Sequence, residues 1–178
     1  LEINKDYPNY KLDKKINIKP DQEKPFRVKS VDGYAMLLNL KRINLINNFQ
    51  YFDENFFMYL ENDDLCKRLV ENSEKIFVVP KSKINHLGGK AVDQTYEYEI
   101  ELSRNWHWIW SKFYFNKKHF GFFWALLISL PSFFSSILKL LFYFVVFNKR
   151  KKNIYLKRIQ GFWNALLGKP SSYRPNVF

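Results

Sequence analysis

The order of apolar and polar positions divides the first half of the chain into short elements. Residues 1–30 are lysine-rich and broken by prolines, which predicts an extended connection. Two short apolar runs, VDGYAMLLNL from Val31 and IFVVP ended by Pro80, are typical of buried strands. Between them, the pattern predicts a short helix over 41–48 and a longer helix that begins near Glu61. This alternation of strand, helix and strand predicts an α/β fold class.

The second half is dominated by aromatic and apolar segments. No Pro or Gly interrupts residues 93–119, which predicts one long aromatic and basic helix. Residues 120–148 form an apolar run longer than the ~20 residues that a membrane-spanning helix needs. Pro131 divides this run, so we expect either two half-helices or one straight span. Residues 149–178 predict an amphipathic tail that lies on a membrane interface and ends at a Gly and a Pro.

Basic residues flank the apolar run on both sides. Lys117 and Lys118 precede it, and residues 149–152 are all Lys or Arg. A single span normally keeps its excess positive charge on the cytoplasmic side only. A re-entrant or interfacial hairpin with both ends in the cytoplasm fits this distribution better. We therefore expect the chain to be associated with the cytoplasmic face of the cell membrane.

Composition limits the possible partners. The chain has 29 Lys and Arg against 17 Asp and Glu, a net charge of +12, which suits phosphate-rich ligands, nucleic acid or an anionic membrane. Nucleic acid is not expected as a partner, because the longest aromatic run is too hydrophobic to be a stacking platform in water. A single cysteine, Cys66, excludes an internal disulfide and a multi-cysteine zinc site. The chain begins at Leu1 without an initiator Met, so we expect a fragment.

The candidate chemistry lies where an aromatic block meets the helix that begins near Glu61. The aromatic block is expected to be buried: Phe52, Phe56, Phe57, Met58 and Tyr59. The first helical turn then contains Glu61, Asn62, Asp63 and Asp64. Unpaired N–H groups and the helix dipole favour ionised carboxylates there, and such a carboxylate would be a ready proton acceptor. Acids in a first turn are also common caps, and this pattern alone favours capping over chemistry.

A loop with one histidine and two glycines follows the second predicted strand. His86 could bind a metal, contact a phosphate or be an ordinary hydrogen-bonded loop histidine, and the last is the most common case. Gly88 and Gly89 would let the backbone approach a phosphate, although a plain turn needs glycines as well. Arg104 adds a positive charge in the long helix. No Walker loop, GxSxG elbow or HExxH motif occurs.

Several segments together resemble the C-terminal half of a GT-A fold, family-two glycosyltransferase of the rhamnosyltransferase-like kind. The strongest matches are VDGYAMLL, FDENFFMYLENDDLCKR and IFVVPKSKINHLGG, and they lie within residues 31–90. The later RNWHWIW and GFWNALLGKPSSYRP extend the similarity to residues 28–175. The resemblance implies the C-terminal part of a Rossmann-like catalytic domain over 31–92, followed by the aromatic and membrane-associated helices.

The resemblance also implies an activity, the inverting transfer of a sugar from a nucleotide-sugar donor. The acceptor hydroxyl would lie on a lipid-linked or cell-surface polysaccharide precursor. Glu61 is the expected general base, with Asp64 next and Asp63 third. A divalent metal, Mg²⁺ or Mn²⁺, lies near the histidine that His86 matches. The residues expected to contact the substrate or its diphosphate are Gly33, His86, Gly88, Gly89 and Arg104.

Two departures from the family pattern qualify these expectations. The Asp-x-Asp motif that holds the metal belongs to the family's N-terminal half and does not occur here. We therefore expect this chain alone to be inactive, with the main metal ligands outside it. Asn62 occupies the position at which many relatives have the second acid, which leaves the base open among Glu61, Asp63 and Asp64. The alternative function is a non-catalytic module that interacts with the membrane surface.

Overall fold

The computed structural model describes residues 23–85 and 94–175, and these residues are mostly helical. Their strands are β1 (Phe26–Val28) and β2 (Ile76–Val78), and short 3-10 turns lie at Gly33–Ala35 and Gln94–Tyr96. Their helices are α1 (Leu40–Ile43), α2 (Glu61–Glu71), α3 (Glu97–Phe120), α4 (Phe122–Val145) and α5 (Lys149–Leu166). The α/β class is not confirmed for these residues, and no Rossmann-like fold is shown. The chain divides into two compact units, Leu1–Asp53 with Glu61–Leu87, and Glu54–Leu60 with Gly88–Phe178.

In the first unit, the sheet does not form where the sequence predicted it. The described residues form one two-stranded sheet, in which β1 pairs with β2 in antiparallel register, Phe26 opposite Val78 and Val28 opposite Ile76. The IFVVP strand is thus confirmed, whereas β1 falls in the predicted extended connection. An antiparallel pair is not the parallel crossover unit of a Rossmann-like sheet. The predicted strand from Val31 is wrong, because the chain makes a 3-10 turn at Gly33–Ala35 instead.

The predicted acidic helix is confirmed as α2, which begins at Glu61. Its apolar positions Leu65, Leu69 and Val70 were expected to form one stripe. Leu65 is fully buried and Leu69 packs with it against Ile43 of α1, whereas Val70 is half-buried. The short helix predicted over 41–48 is only one turn long, and a chain of turns follows it. This small apolar cluster holds the start of α2 in place.

The second unit is built from α3, α4 and α5. Its core contains Trp106, Ile109, Trp110 and Phe113 of α3, Ala125 of α4, and Phe162 and Ala165 of α5. At Gly161 the two backbones come very close, because a Cβ there would lie 2.4 Å from the carbonyl oxygen of Trp106. Only glycine fits this helix crossing.

Helix α4 decides between the two alternatives expected for the apolar segment. It runs without a break from Phe122 to Val145 with Pro131 inside it, so two half-helices do not form. Within the described residues it is the one helix that is long and apolar enough to cross a membrane, by length and composition. One side carries an exposed apolar stripe: Phe123, Leu127, Phe134, Leu138, Leu141 and Val145.

The amphipathic tail is confirmed as a helix, but its apolar side is used differently from the prediction. Phe162 is 2% exposed and packs against Phe113 and Phe133 within the three-helix unit. The centre of this apolar side therefore forms protein core instead of lying on a membrane interface. Trp163 and Leu167 stay exposed at its edge.

Candidate functional site

The backbone that leads into α2 has an unusual conformation. Tyr59 and Leu60, directly before Glu61, have φ angles of 69° and 68°, in the left-handed region. This conformation costs roughly 1–2 kcal/mol for each residue with a Cβ, so two such residues in succession need a stabilising environment. Leu60 is 4% exposed, and the Tyr59 ring lies edge-on to Trp108 with centroids 5.5 Å apart. Side-chain packing thus stabilises this left-handed turn.

Asp63 and Asn62 are both tied to the segment that follows β1. The Ser30 hydroxyl donates a 2.8 Å hydrogen bond to Oδ1 of Asp63, and both side chains are buried. The Asn62 amide donates to the Val31 carbonyl at 2.9 Å. An acid at position 62 would be ionised at neutral pH and could only accept, so it would place a carboxylate against this carbonyl. The contact gives a structural reason for the amide at this position.

The Asp64 carboxylate also has a hydrogen-bond partner. It is fully buried, and its Oδ2 accepts a 2.8 Å hydrogen bond from Nε of Arg68, one turn along α2. The same guanidinium donates to the backbone carbonyls of Gln50 and Tyr51. This network joins the helix start to the preceding loop. Both Asp63 and Asp64 therefore have structural contacts.

Glu61 differs from these two acids. Its side chain is partly buried, and Oε2 is shielded from solvent with no hydrogen-bond partner among the described residues. A buried carboxylate oxygen without a partner is costly, so natural proteins keep such groups mainly where they have a task. Of the three candidate bases, Glu61 is the one whose carboxylate remains available for a proton.

The other candidate residues are distributed unevenly. Gly33 lies next to the start of α2, because a Cβ there would be 3.4 Å from Cβ of Asn62. Arg104 is exposed on α3, in the other unit. His86, Gly88 and Gly89 lie outside the described residues, so their expected contact with a diphosphate stays a prediction.

The aromatic block is buried only in part. Phe56 is buried and packs edge-on to Tyr114 with centroids 4.9 Å apart, and Met58 and Tyr59 are half-buried. Phe52 and Phe57 are 43% and 46% exposed, so the expectation of full burial was wrong for them. The Phe57 ring instead contacts His107, with ring centroids 4.8 Å apart, and the Arg174 guanidinium, 3.5 Å from the Phe57 centroid.

His107 forms a cluster that the sequence did not identify. Its Nδ1 lies 2.8 Å from the Ser171 hydroxyl, and its Nε2 lies 2.8 Å from the Tyr173 carbonyl oxygen. Because a carbonyl only accepts, Nε2 carries the proton and Nδ1 accepts from Ser171. Nearby, the Trp110 indole donates to the Lys169 carbonyl at 2.9 Å. These hydrogen bonds connect the segment after α5 to α3, so the RNWHWIW and KPSSYRP segments lie together.

The protonation of His107 is linked to folding. Burial lowers the pKa of His107 from its usual 6.5, the hydrogen bond to Tyr173 opposes this shift, and the positive charge of Arg174 adds to it. We expect the helical unit to lose stability as the pH falls below 6.5. At such a pH His107 binds a proton in the unfolded chain but stays neutral in the folded chain, because its pKa is lower there. Above that pH both states are neutral, and the contribution is constant.

Thermal unfolding between about pH 5 and pH 8 measures this effect. His107→Gln should flatten the acidic part of the stability profile. A profile with the same slope in the His107→Gln protein would assign the pH dependence to other groups.

Metal binding is not supported by the described residues. They contain no group of three or more His, Cys, Asp or Glu side chains that could hold a metal ion. Asp63 and Asp64, the acids nearest the candidate base, already accept from Ser30 and Arg68. The described donor set does not fit Mg²⁺ or Mn²⁺, and we derive no chemical step through a metal.

Comparison of the chain with protein-family models, with curated proteins and with solved structures finds no match. The interpretation of the site therefore rests on the chemistry of Glu61 and its surroundings.

Proposed function

We propose that this chain is the C-terminal part of a GT-A, family-two inverting glycosyltransferase, with Glu61 as its general base. The enzyme would move a sugar from a nucleotide-sugar donor to an acceptor hydroxyl on a lipid-linked or cell-surface polysaccharide precursor. One observation carries the proposal. The Oε2 atom of Glu61 is buried without a hydrogen-bond partner among the described residues, while the carboxylates of Asp63 and Asp64 are engaged.

The chemistry requires one such carboxylate. An acceptor hydroxyl is a weak nucleophile, so a base must remove its proton as its oxygen attacks the anomeric carbon. The bond from that carbon to the nucleoside diphosphate breaks, and the leaving diphosphate takes the bonding electrons. Glu61 receives the proton, and attack from the face opposite the leaving group inverts the anomeric centre. A carboxylate already committed to an arginine, such as that of Asp64, would be a poorer acceptor.

The left-handed residues before Glu61 support this assignment. Strained backbone is stored preferentially at functional sites, where it sets the position of a reacting group. Tyr59 and Leu60 directly precede Glu61, the first residue of α2, in the chain.

A transfer assay on a longer protein tests the proposed class. The family resemblance places the donor-binding half before Leu1, so a protein extended upstream to include an Asp-x-Asp segment should transfer sugar from a nucleotide-sugar. The 178-residue chain alone should not. Lack of an Asp-x-Asp segment upstream would favour the non-catalytic membrane-surface module instead.

We also propose that α4 lies in the membrane interface instead of crossing the bilayer. Its 24 residues span about 36 Å, enough to cross a hydrocarbon layer of about 30 Å. However, α3 and α5 pack along it, and α5 carries six Lys and Arg side chains at positions 149–152, 157 and 158. If α4 crossed the bilayer, these charges would move toward the hydrocarbon. Inserting each charge near the bilayer centre would cost about 2.5–3.5 kcal/mol. An in-plane position buries only the exposed stripe of α4.

Cysteine labelling tests this orientation. With Cys66 replaced by Ser, single cysteines at positions 117 and 151 should react with a membrane-impermeant reagent from the same side of sealed vesicles. The two positions flank α4, so a crossing helix would place them on opposite sides. Labelling from opposite sides would contradict the interfacial position.

A further inference from the structure

Two partly buried cations in the three-helix unit have no negative partner among the described residues. Lys112 of α3 and Arg158 of α5 are half-buried, and neither forms an ion pair with a described residue. The Nε atom of Arg158 is shielded from solvent and has no hydrogen-bond partner in the described part of the chain. Its Nη2 reaches the Ser132 hydroxyl of α4 at 3.4 Å, a long contact. Arg158 and the Ser132 hydroxyl therefore lie together where α5 packs on α4, and α3, which carries Lys112, packs against both helices.

The charges of Lys112 and Arg158 act on each other. Burial is the main cause that lowers the pKa of Lys112, and the positive charge of Arg158 lowers it further. Burial also lowers the pKa of Arg158. Two like charges that are both partly removed from water destabilise the unit unless an anion joins them.

No carboxylate of the surrounding helices can neutralise this pair. Residues 102–175 contain no Asp or Glu at all. The nearest acid along α3 is Glu101, eleven residues from Lys112 and thus about 16 Å away along the helix axis. Glu101 is itself paired with Arg150. An anion from another molecule would supply the countercharge that α4, α5 and the rest of α3 after Glu101 lack.

The position of the pair favours a membrane lipid as the source of that anion. Ser132, which Arg158 contacts, is next to Pro131 in α4. By helical periodicity it lies on the side of α4 opposite the exposed apolar stripe that contains Phe134. One helix diameter, about 10 Å, separates the two sides. If the stripe enters the acyl region to a depth of about 5–10 Å, the opposite side of α4 lies at the level of the lipid phosphates.

We propose that Lys112 and Arg158, with the Ser132 hydroxyl, bind the phosphate of an anionic membrane phospholipid. The guanidinium offers parallel N–H donors that match two phosphate oxygens, and the ammonium adds a point charge beside them. This site does not depend on the proposed transferase activity, because all three residues belong to the helical unit and none belongs to the acidic helix α2.

Vesicle flotation with the full 178-residue chain tests the site. The vesicles contain phosphatidylcholine alone or with about 30% phosphatidylglycerol, at about 0.1 M and about 0.5 M KCl. The test variant is Lys112→Gln with Arg158→Gln. The matched control is Lys149→Gln with Lys151→Gln, which removes two exposed cations of α5. Both variants lose the same formal charge.

The expected result depends on salt. At about 0.1 M KCl both variants should bind phosphatidylglycerol vesicles more weakly, because general attraction to the surface acts on every cation. At about 0.5 M KCl exposed charges are screened, so the control should bind like the wild type while the test variant binds about tenfold more weakly. Equal binding of the two variants at high salt would overturn the proposal.

Thermal unfolding in neutral detergent distinguishes a lipid site from a loss of folding and from a site for free phosphate. The test variant should keep the Tm of the wild type or exceed it, because two uncompensated buried charges have been removed. If the double variant does not fold, Arg158→Lys is tested instead, because lysine keeps the positive charge but lacks the planar guanidinium. Arg158→Lys should weaken vesicle binding severalfold at high salt. About 10 mM inorganic phosphate should leave the Tm of the wild type unchanged, whereas phosphatidylglycerol in the micelle should raise it. An equal rise with inorganic phosphate would overturn the assignment to a lipid.

Discussion

Glu61→Gln is expected to lower sugar transfer by the upstream-extended enzyme about 10²–10⁴-fold, with donor binding close to that of the wild type. Glutamine has nearly the shape of glutamate but cannot accept the proton of the acceptor hydroxyl. Because Oε2 of Glu61 has no hydrogen-bond partner among the described residues, the substitution breaks no contact there and should leave Tm unchanged. The effect should appear in kcat, measured together with donor affinity and thermal unfolding.

Glu71→Gln is the matched control for this prediction. It makes the same substitution at the other end of α2, where Glu71 pairs with Lys67 at the surface. Its transfer rate should equal that of the wild type. If Glu61→Gln instead retains near-normal turnover, the base lies elsewhere, and Asp64 and Asp63 would have to be reconsidered despite their contacts with Arg68 and Ser30.

Asp64→Asn is expected to have its effect on stability, with a loss of about 3 kcal/mol in the free energy of unfolding. The substitution leaves the Arg68 guanidinium without its carboxylate, and the Asp64 side chain is fully buried while that of Arg68 is only 17% exposed. We place the expected loss at the low end of the range for broken buried pairs, because Arg68 keeps its bonds to the Gln50 and Tyr51 carbonyls. Denaturant unfolding of the chain measures it directly.

The same helix provides a control with the same spacing. Lys67 and Glu71 form an i, i+4 pair at the surface, and Glu71→Gln should cost no more than about 0.5 kcal/mol. A loss below about 1 kcal/mol for Asp64→Asn would mean that the buried pair contributes no more than a surface pair. Together, the Glu61 and Asp64 substitutions separate a catalytic acid from a structural one.

The helices could be predicted well from local patterns. The periodic apolar positions identified α2 and its start at Glu61, and the uninterrupted aromatic segment identified α3 to within a few residues. The sequence left open whether Pro131 divides the apolar segment into two half-helices, and the structure has one helix that packs along α3 and α5. The periodicity of apolar residues predicts single helices and strands, but it does not predict how these elements pack against one another.

The roles of the acidic residues could not be separated from the sequence. The pattern ENDDL contains three similar carboxylates, and the resemblance ranked Asp64 second and Asp63 third as the base. Their partners, Arg68 and Ser30, distinguish them, and Ser30 is 33 residues away along the chain. His107 was missed for the same reason, since its partners lie 64 and 66 residues away and the sequence pattern treats it as one polar position in an aromatic helix.

The sequence by itself determined where the helices lie, that positive charge and a long apolar segment dominate the second half, and that acids gather at one helix start. Tertiary structure alone decided that β1 pairs with β2 in antiparallel register, that Arg158 reaches Ser132, and that Glu61 keeps a carboxylate oxygen without a partner among the described residues. The physical reason is that helix periodicity is a property of neighbouring residues, whereas the partner of a strand edge or a buried charge comes from a distant segment.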